Sequence, residues 1–326
     1  MNNKLLFLST IASLSIFAAS NTALAATYPS SPVTIIVGAA PGGPTDTIAR
    51  VLAQDLGEIL NQSVVVSNKP GANSLLATHE VARAKPDGYT VLLAYNAHVI
   101  NKIMTKSAQY DPLKDFAPVS MAVSLPMAVV VPASSGAKTI NDLVNEAKTS
   151  PEKVSYGSSG NGGAPHLAGA LLEMKSGAKM LHVPYKGNAP ALLDVIAGRV
   201  SFMFYPMVGI NKYVDDKRIN IVAVTSDKRH PDYEAVPSMS EAGFDGFEQT
   251  SAWIGMLAPA GTPADVVERL NSAVKQSLSN EKTVERLRTL GAVPAYKASG
   301  EFSAYLANDL DRWSSVIKSA GIETDK

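Results

Sequence analysis

Short runs of aliphatic and β-branched residues alternate with longer amphipathic stretches along almost the whole chain. Residues 33–37 (Val-Thr-Ile-Ile-Val) predict a strand, and the stretch that follows places Ile48, Val51, Leu52, Leu56, Ile59 and Leu60 on one helical face. Further apolar runs at 64–66, 91–93, 181–183, 200–204 and 221–224 are bounded by Gly, Pro, Asn or Lys. Such runs suit parallel strands buried on both faces, and their alternation with helices predicts an α/β fold. Toward the end the period turns helical, at Val266, Val267, Leu270, Val274 and Leu278 and again at Phe302, Leu306, Leu310, Trp313 and Ile317. Those helices are expected to cover the sheet of a first lobe. Two longer apolar segments, 118–131 and 250–257, are candidates for strands that cross between lobes. The layout they suggest joins 26–124 with 247–326 as one lobe and leaves 125–246 as the other, with a cleft between them. A single large sheet is the alternative. There is no low-complexity linker, and no internal repeat of roughly 20–50 residues.

The start of the chain has a different pattern. Lys4 precedes an uncharged, largely apolar run at 5–19 and then Ala23-Leu24-Ala25, which reads as a secretory signal peptide spanning 1–25 and cleaved near Ala25. The run is shorter than the roughly 20 residues a helix needs to cross a bilayer. The expected location is therefore periplasmic, and with no cysteine in the sequence there is no site for lipid attachment after cleavage.

Composition narrows the function. The 326 residues are 46% hydrophobic and carry 29 basic against 29 acidic side chains, as in a globular protein of one large or two medium domains. Zero net charge with no basic stripe removes the electrostatic footing for nucleic-acid binding. The lack of cysteine excludes disulfides, thiolate catalysis, iron–sulfur clusters and Cys-ligated zinc.

Two glycine-rich loops carry the candidate chemistry. Residues 38–46 (Gly-Ala-Ala-Pro-Gly-Gly-Pro-Thr-Asp) lie between a predicted strand and a helix, with the glycine spacing of a phosphate-binding loop. Pro44 stands where that motif needs its lysine, so nucleotide binding fails. What remains is a helix start whose free N–H groups attract an anion, formed by Pro41, Gly42, Gly43 and Thr45. Asp46 reads as a first-turn stabiliser rather than a base. The second loop, 156–166, again lies between strand and helix and contains Ser158, Ser159, Asn161, Gly162, Gly163 and His166. It misses the nucleophile elbow at Asn161 and the dinucleotide fingerprint at Pro165. His166 reads first as a residue that bonds to its own loop. The five histidines have no ligand spacing, so neither a metal nor a cofactor is expected. Asn96, His98, Tyr185 and Tyr205 at strand ends are further candidates, each with the plainer alternative of satisfying nearby backbone. Two anion cradles, one per lobe and built of neutral donors, suggest an exported protein that clamps a carboxylate.

Several blocks in order then carry a specific resemblance: Pro41-Gly42-Gly43-x-x-Asp46, Asn68-Lys69-Pro70-Gly71-Ala72, Lys85-Pro86-Asp87-Gly88-Tyr89-Thr90, Asp115-Phe116-Ala117-Pro118-Val119, His166-Leu167-Ala168-Gly169, His182-Val183-Pro184-Tyr185-Lys186-Gly187 and Leu257-Ala258-Pro259-Ala260-Gly261-Thr262-Pro263. The chain resembles the Bug-type extracytoplasmic solute receptors, the substrate-binding proteins of tripartite tricarboxylate transporters. The resemblance implies a two-lobed type II periplasmic-binding-protein fold that closes like a hinge on a small carboxylate. It places ligand contacts at 41–46, 158–166, 95–98 and Tyr185. It also implies inner-membrane permease subunits as partners and a monomeric receptor, with a ligand-sensing subunit of a signalling system as the alternative. Where the family pattern has an acid after Phe204, this chain has Tyr205, which favours aromatic or apolar-bodied carboxylates over amino acids. A periplasmic hydrolase using Ser158 or Ser159 with His166 is the remaining enzyme reading; the resemblance is to a receptor and not to an enzyme.

Overall fold

The computed structural model describes residues 28–185, 187–207, 209–319, 321, 322 and 324. The expected signal peptide lies outside them. In chain order the elements are β1 (Val33–Val37), α1 (Pro44–Leu60), β2 (Val64–Asn68), α2 (Leu75–Ala82), β3 (Thr90–Tyr95), α3 (Ala97–Met104), β4 (Phe116–Leu125), β5 (Met127–Pro132), α4 (Ile140–Thr149), β6 (Ser155–Ser158) and α5 (Ala164–Ser176). There follow β7 (Leu181–Pro184), α6 (Asn188–Ile196), β8 (Phe202–Pro206), α7 (Asn211–Asp215), β9 (Ile219–Val224), β10 (Ala252–Pro259), α8 (Ala264–Ser277), α9 (Glu281–Thr289), β11 (Val293–Lys297) and α10 (Ser299–Ser319). The α/β fold is as expected, and the strands form two sheets, not the single large sheet that was the alternative.

The first sheet has the order β11-β4-β10-β3-β1-β2 and the second β7-β6-β8-β5-β9. In each sheet three neighbouring strands pair parallel, β2-β1-β3 and β7-β6-β8, and the remaining pairings are antiparallel. The chain leaves the first sheet at Pro126, where a residue without an N–H separates β4 from β5. It returns through residues 225–251 to β10. The two crossings are pinned together: Thr225 Oγ1 accepts the Met127 N–H at 2.9 Å and lies 3.2 Å from Ser251 Oγ. The apolar segment 118–131 thus divides between the two sheets, whereas 250–257 supplies a central strand of the first.

Strand burial departs from the expectation at the edges. β2 and β7 close their sheets on one side, leaving Val65 49% and Leu181 58% exposed. A run of three apolar residues reads alike in a central strand and in an edge covered on one face, so the pattern cannot separate them. β11 has no apolar run; its Pro294 is tolerated because the strand lies at an edge beside a shift of register.

Three apolar clusters fill the layers. One packs α1 and α8 on the first sheet through Ile48, Leu52, Leu56, Leu270 and Val274, and another packs α6 on the second through Leu192 and Val195. The largest continues from sheet to sheet, because α10 presents Phe302, Leu306, Trp313 and Ile317 to the first sheet and also reaches α5. Each fully buried side chain of this size contributes about 1.5–3 kcal/mol. The final helices do cover the first sheet, and α10 extends beyond it.

Candidate functional site

Open α/β sheets bind ligands outside the carboxyl ends of their parallel strands. Here β1 and β3 of the first sheet and β6, β7 and β8 of the second end at the gap beside Pro126. The two sides approach closely: a Cβ placed on Gly162 would stand 2.9 Å from Met104 Cε.

The first loop leaves β1 through Gly38, where a Cβ would lie 1.8 Å from Ser74 Oγ, so only glycine fits. Asp46 is buried and fully engaged. Its carboxylate accepts Gly42 N–H at 2.8 Å, Arg50 Nε at 3.0 Å and Asn68 Nδ2 at 2.9 Å, and pairs with Arg50. Burial pushes its pKa up, but the hydrogen bonds from Arg50, Gly42 and Asn68 outweigh this and hold it below the usual carboxylate range. Asp46 therefore shapes the loop, with its carboxylate oxygens engaged by these three donors. No side chain caps α1, and the hydroxyl of Thr45 makes no hydrogen bond among the described residues. Pro41 and Gly42 are exposed and Gly43 is half-buried.

The second loop is built on stacked rings. The His166 and His182 rings lie face to face at 3.8 Å between centroids, with Tyr156 on the other side of His182 at 5.0 Å. His166 Nδ1 accepts the Gly162 N–H at 3.0 Å, the bond to its own loop that was expected. Ser158 is fully buried. Its Oγ accepts Gly160 N–H, lies 3.1 Å from Gly160 O, and shares a 2.7 Å hydrogen bond with His182 Nε2 whose direction follows the tautomer of the ring. The postulated pairing of Ser158 with His166 is thus replaced by Ser158 with His182, and the buried hydroxyl has no capacity left for a ligand. Ser159 and Asn161 have no hydrogen-bond partner among the described residues, and Gly163 precedes α5, which no side chain caps.

Strand ends supply the rest. Asn96 is only 7% exposed, yet its side-chain amide has no partner among the described residues. His98 does not join the site: it is buried in the core, with Nε2 donating to Pro112 O at 3.0 Å and its ring stacked on Tyr110. Two residues past Asn96, the turn of α3 carries the side chain into the core, away from the expected ligand contact. The Tyr185 hydroxyl donates to Asp194 Oδ2 at 2.7 Å, so it is occupied. Burial, then that bond, push it up to about 12. Tyr205 is half-buried on the α6 side of the second sheet, with a hydroxyl that has no partner among the described residues.

A feature missed from sequence lies between the loops. Gly71, Ala72, Asn73 and Ser74 all have positive φ, at 135°, 44°, 51° and 74°. Three of them are not glycine, and each such residue costs on the order of 1–2 kcal/mol. Asn101 of α3 holds the run in place, accepting from Asn73 Nδ2 at 2.9 Å and donating to Asn73 O at 2.7 Å. Ser74 then closes over Gly38. No local pattern announces such a run, because it is imposed by α3 from nearly thirty residues away.

The histidines make the protein acid-sensitive. Burial, then the neighbouring His182, pushes His166 down to about 4, and burial pushes His98 down to about 4. Both are neutral in the fold and would take up protons on unfolding, so their contribution is complete above about pH 6.5 and is lost as pH falls toward about 4. Calorimetric midpoints should drop between about pH 7.5 and about pH 5, with a shallower slope in His98→Phe; equal midpoints in the wild type would refute this.

Comparison with known proteins gives the site its context. The family model described as "Tripartite tricarboxylate transporter family receptor" matches residues 48–322. The chain belongs to that family. A Pseudomonas sp. relative, a protein in the tcbD-tcbE intergenic region, is 37% identical over 291 residues, 89% of this chain and 86% of its own length. Among solved structures, an R. palustris protein with adipate is 33% identical at a TM-score of 0.79, covering 91% of this chain and 99% of that one. MatC from Rhodopseudomonas palustris, with bound malate, is 28% identical at a TM-score of 0.74, covering 89% and 100%. The family is one of solute-binding receptors and not of enzymes, and the fold is that of the two-lobed periplasmic binding proteins.

Proposed function

We propose that this receptor captures a small dicarboxylate in the cleft between two lobes, 26–124 with 247–326 and 125–246, and delivers it to the membrane permease of a tripartite tricarboxylate transporter. The observation that carries the reading is the convergence of neutral donors at the gap: two uncapped helix N-termini, the free Thr45 hydroxyl and the unpartnered amide of Asn96. A helix N-terminus presents free N–H groups and partial positive charge, so a carboxylate on each cradle is held without an arginine. A ligand with two carboxylates spans both cradles and favours closure. The adipate and malate of the two structural neighbours support this class. Of the residues expected at the site, Pro41, Gly42, Gly43, Thr45, Asn96, Ser159, Asn161, Gly162 and Gly163 remain the proposed contacts. Asp46, Ser158 and His166 support the loops, and the Tyr185 and Tyr205 rings border the ligand body. The open hydroxyl and half-buried ring of Tyr205 suit an aromatic or apolar body. The proposed receptor is an exported monomer, released into the periplasm by cleavage near Ala25.

Isothermal titration of the protein, unfolded and refolded to remove any carried-over ligand, should give one-site binding for adipate, malate or an aromatic dicarboxylate. A panel of mono-, di- and tricarboxylates that gives no heat, with no rise in thermal midpoint, would defeat the proposal. At about a hundred times the dissociation constant a ligand adds roughly 2.7 kcal/mol, which the midpoint registers.

A further inference from the structure

The crossings at Pro126 and 225–251 divide the space between the sheets into two. On one side lies the carboxylate cleft, where Gly162 comes near Met104. On the other, the residues after β9 approach β11 and the end of α9, where Arg288 pairs with Asp232 at 3.4 Å. This rear gap holds a cavity of about 460 Å³ that includes none of the cleft residues. It is within the range of small-molecule pockets, about 300–1,000 Å³.

The wall of this cavity has an ordered chemistry. Met121, Val293, Ala295 and the ring of Tyr305 form an apolar floor. Lys297 and Glu248, both half-buried, line it with opposite charges, while Asp227 and Lys228, exposed at the rim, add one charge of each sign and the His230 ring is buried in the wall. Lys297 Nζ lies 5.7 Å from the Tyr305 ring centroid and has no carboxylate partner among the described residues. Glu248 is near enough to Arg312 to feel its charge, but forms no ion pair among the described residues. Arg312, half-buried and outside the lining, pairs with Asp309. At the mouth Arg229 is held by Glu241, with both carboxylate oxygens at 3.0 Å.

A half-buried ammonium and a half-buried carboxylate, each without an ion-pair partner among the described residues, lie over an apolar floor beneath a rim whose Asp227 and Lys228 balance each other, and they complement a ligand that carries both charges on an apolar body. A simple anion would satisfy Lys297 and meet Glu248 with like charge; a simple cation would do the reverse. We propose that the rear cavity is a second binding site, taking a small zwitterion with an apolar side chain, an α-amino acid of the leucine or phenylalanine kind. The site is independent of the carboxylate cleft and of the reading given to it.

Titrating the purified full chain with L-phenylalanine tests this, read by calorimetry and by tryptophan emission, since the Trp253 ring lies 6.4 Å from that of Tyr305. The zwitterion should bind the wild type, and 3-phenylpropionate and phenethylamine, each lacking one charge, should bind at least about tenfold more weakly. Lys297→Met and Glu248→Gln should each weaken L-phenylalanine about tenfold while leaving adipate binding and the thermal midpoint as they were. Asn96→Leu should leave L-phenylalanine binding intact. The inference is overturned by no response to L-phenylalanine at millimolar concentration, or by equal binding of 3-phenylpropionate. It is equally overturned if Asn96→Leu abolishes the response while Lys297→Met does not, which would put the amino acid in the carboxylate cleft instead.

Discussion

Asn96→Leu should weaken carboxylate binding about ten- to hundredfold while leaving the thermal midpoint unchanged. The amide is nearly buried at the carboxyl end of β3, yet no described residue bonds to it. The amide nitrogen and oxygen are not among the buried atoms left without a partner, so they face the solvent of the gap, and a side chain of similar volume should leave the empty protein about as stable as before. When a carboxylate arrives, the same amide becomes a donor to a charged acceptor, worth about 1.5–3 kcal/mol, and each 1.4 kcal/mol is tenfold in affinity. Titration with adipate beside a melting curve reads both halves. An unchanged affinity would show that the amide does not face the ligand, and a midpoint lowered by several degrees would show that it has a structural partner after all.

The largest effect on folding is expected from Gly169→Val. A Cβ at this position in α5 would stand 2.1 Å from Tyr156 Cε2 and 2.5 Å from Cδ2. Tyr156 cannot move aside: it is 1% exposed, with His182 stacked on one side and Phe202 at 5.8 Å. Overpacking of this kind costs about 1–3 kcal/mol and occasionally more, and here the whole clash falls on one ring, so a loss of about 3 kcal/mol is expected. The displaced tyrosine also shifts His182, and with it Ser158 and the second loop, so carboxylate affinity should fall too. Combining Gly169→Val with Tyr156→Ala, which empties the clashing volume, should be less damaging than the two single changes summed, by about 1 kcal/mol or more. Urea unfolding of the three variants measures this coupling, and strictly additive losses would mean that the helix moves instead of the ring.

How much was legible beforehand depended on whether the cause was local. The strand and helix periods gave β1, α1, β3 and the closing helices, because burial of one face is written in residue spacing. Both glycine-rich loops were found for the same reason, since an anion cradle needs small residues at a helix start. What the pattern cannot show is which of these side chains already has a partner, often one distant in sequence. Asp46 is engaged by Asn68 as well as by the nearby Arg50, and Ser158 by His182. His98 and Asn96 are two residues apart, and only the turn of α3 decides that one faces Tyr110 in the core while the other stays free. The positive-φ run at 71–74 was unreadable because its support is Asn101, and the rear cavity because it is assembled from β4, β11, α10 and the two crossings.

The strand order of the first sheet also governs when that sheet can be completed. β10, at residues 252–259, is inserted between β3 and β4, whose last residue is 125. A chain emerging from its N-terminus therefore has all of β5 to β9 available, enough to pair the whole second sheet, before the central strand of the first exists. Until then β3 and β4 each show an open edge to solvent, and unpaired edges are templates for pairing with other chains. The lobe that is begun first is finished last, and its two waiting edges are where this protein is most exposed to misassembly during synthesis.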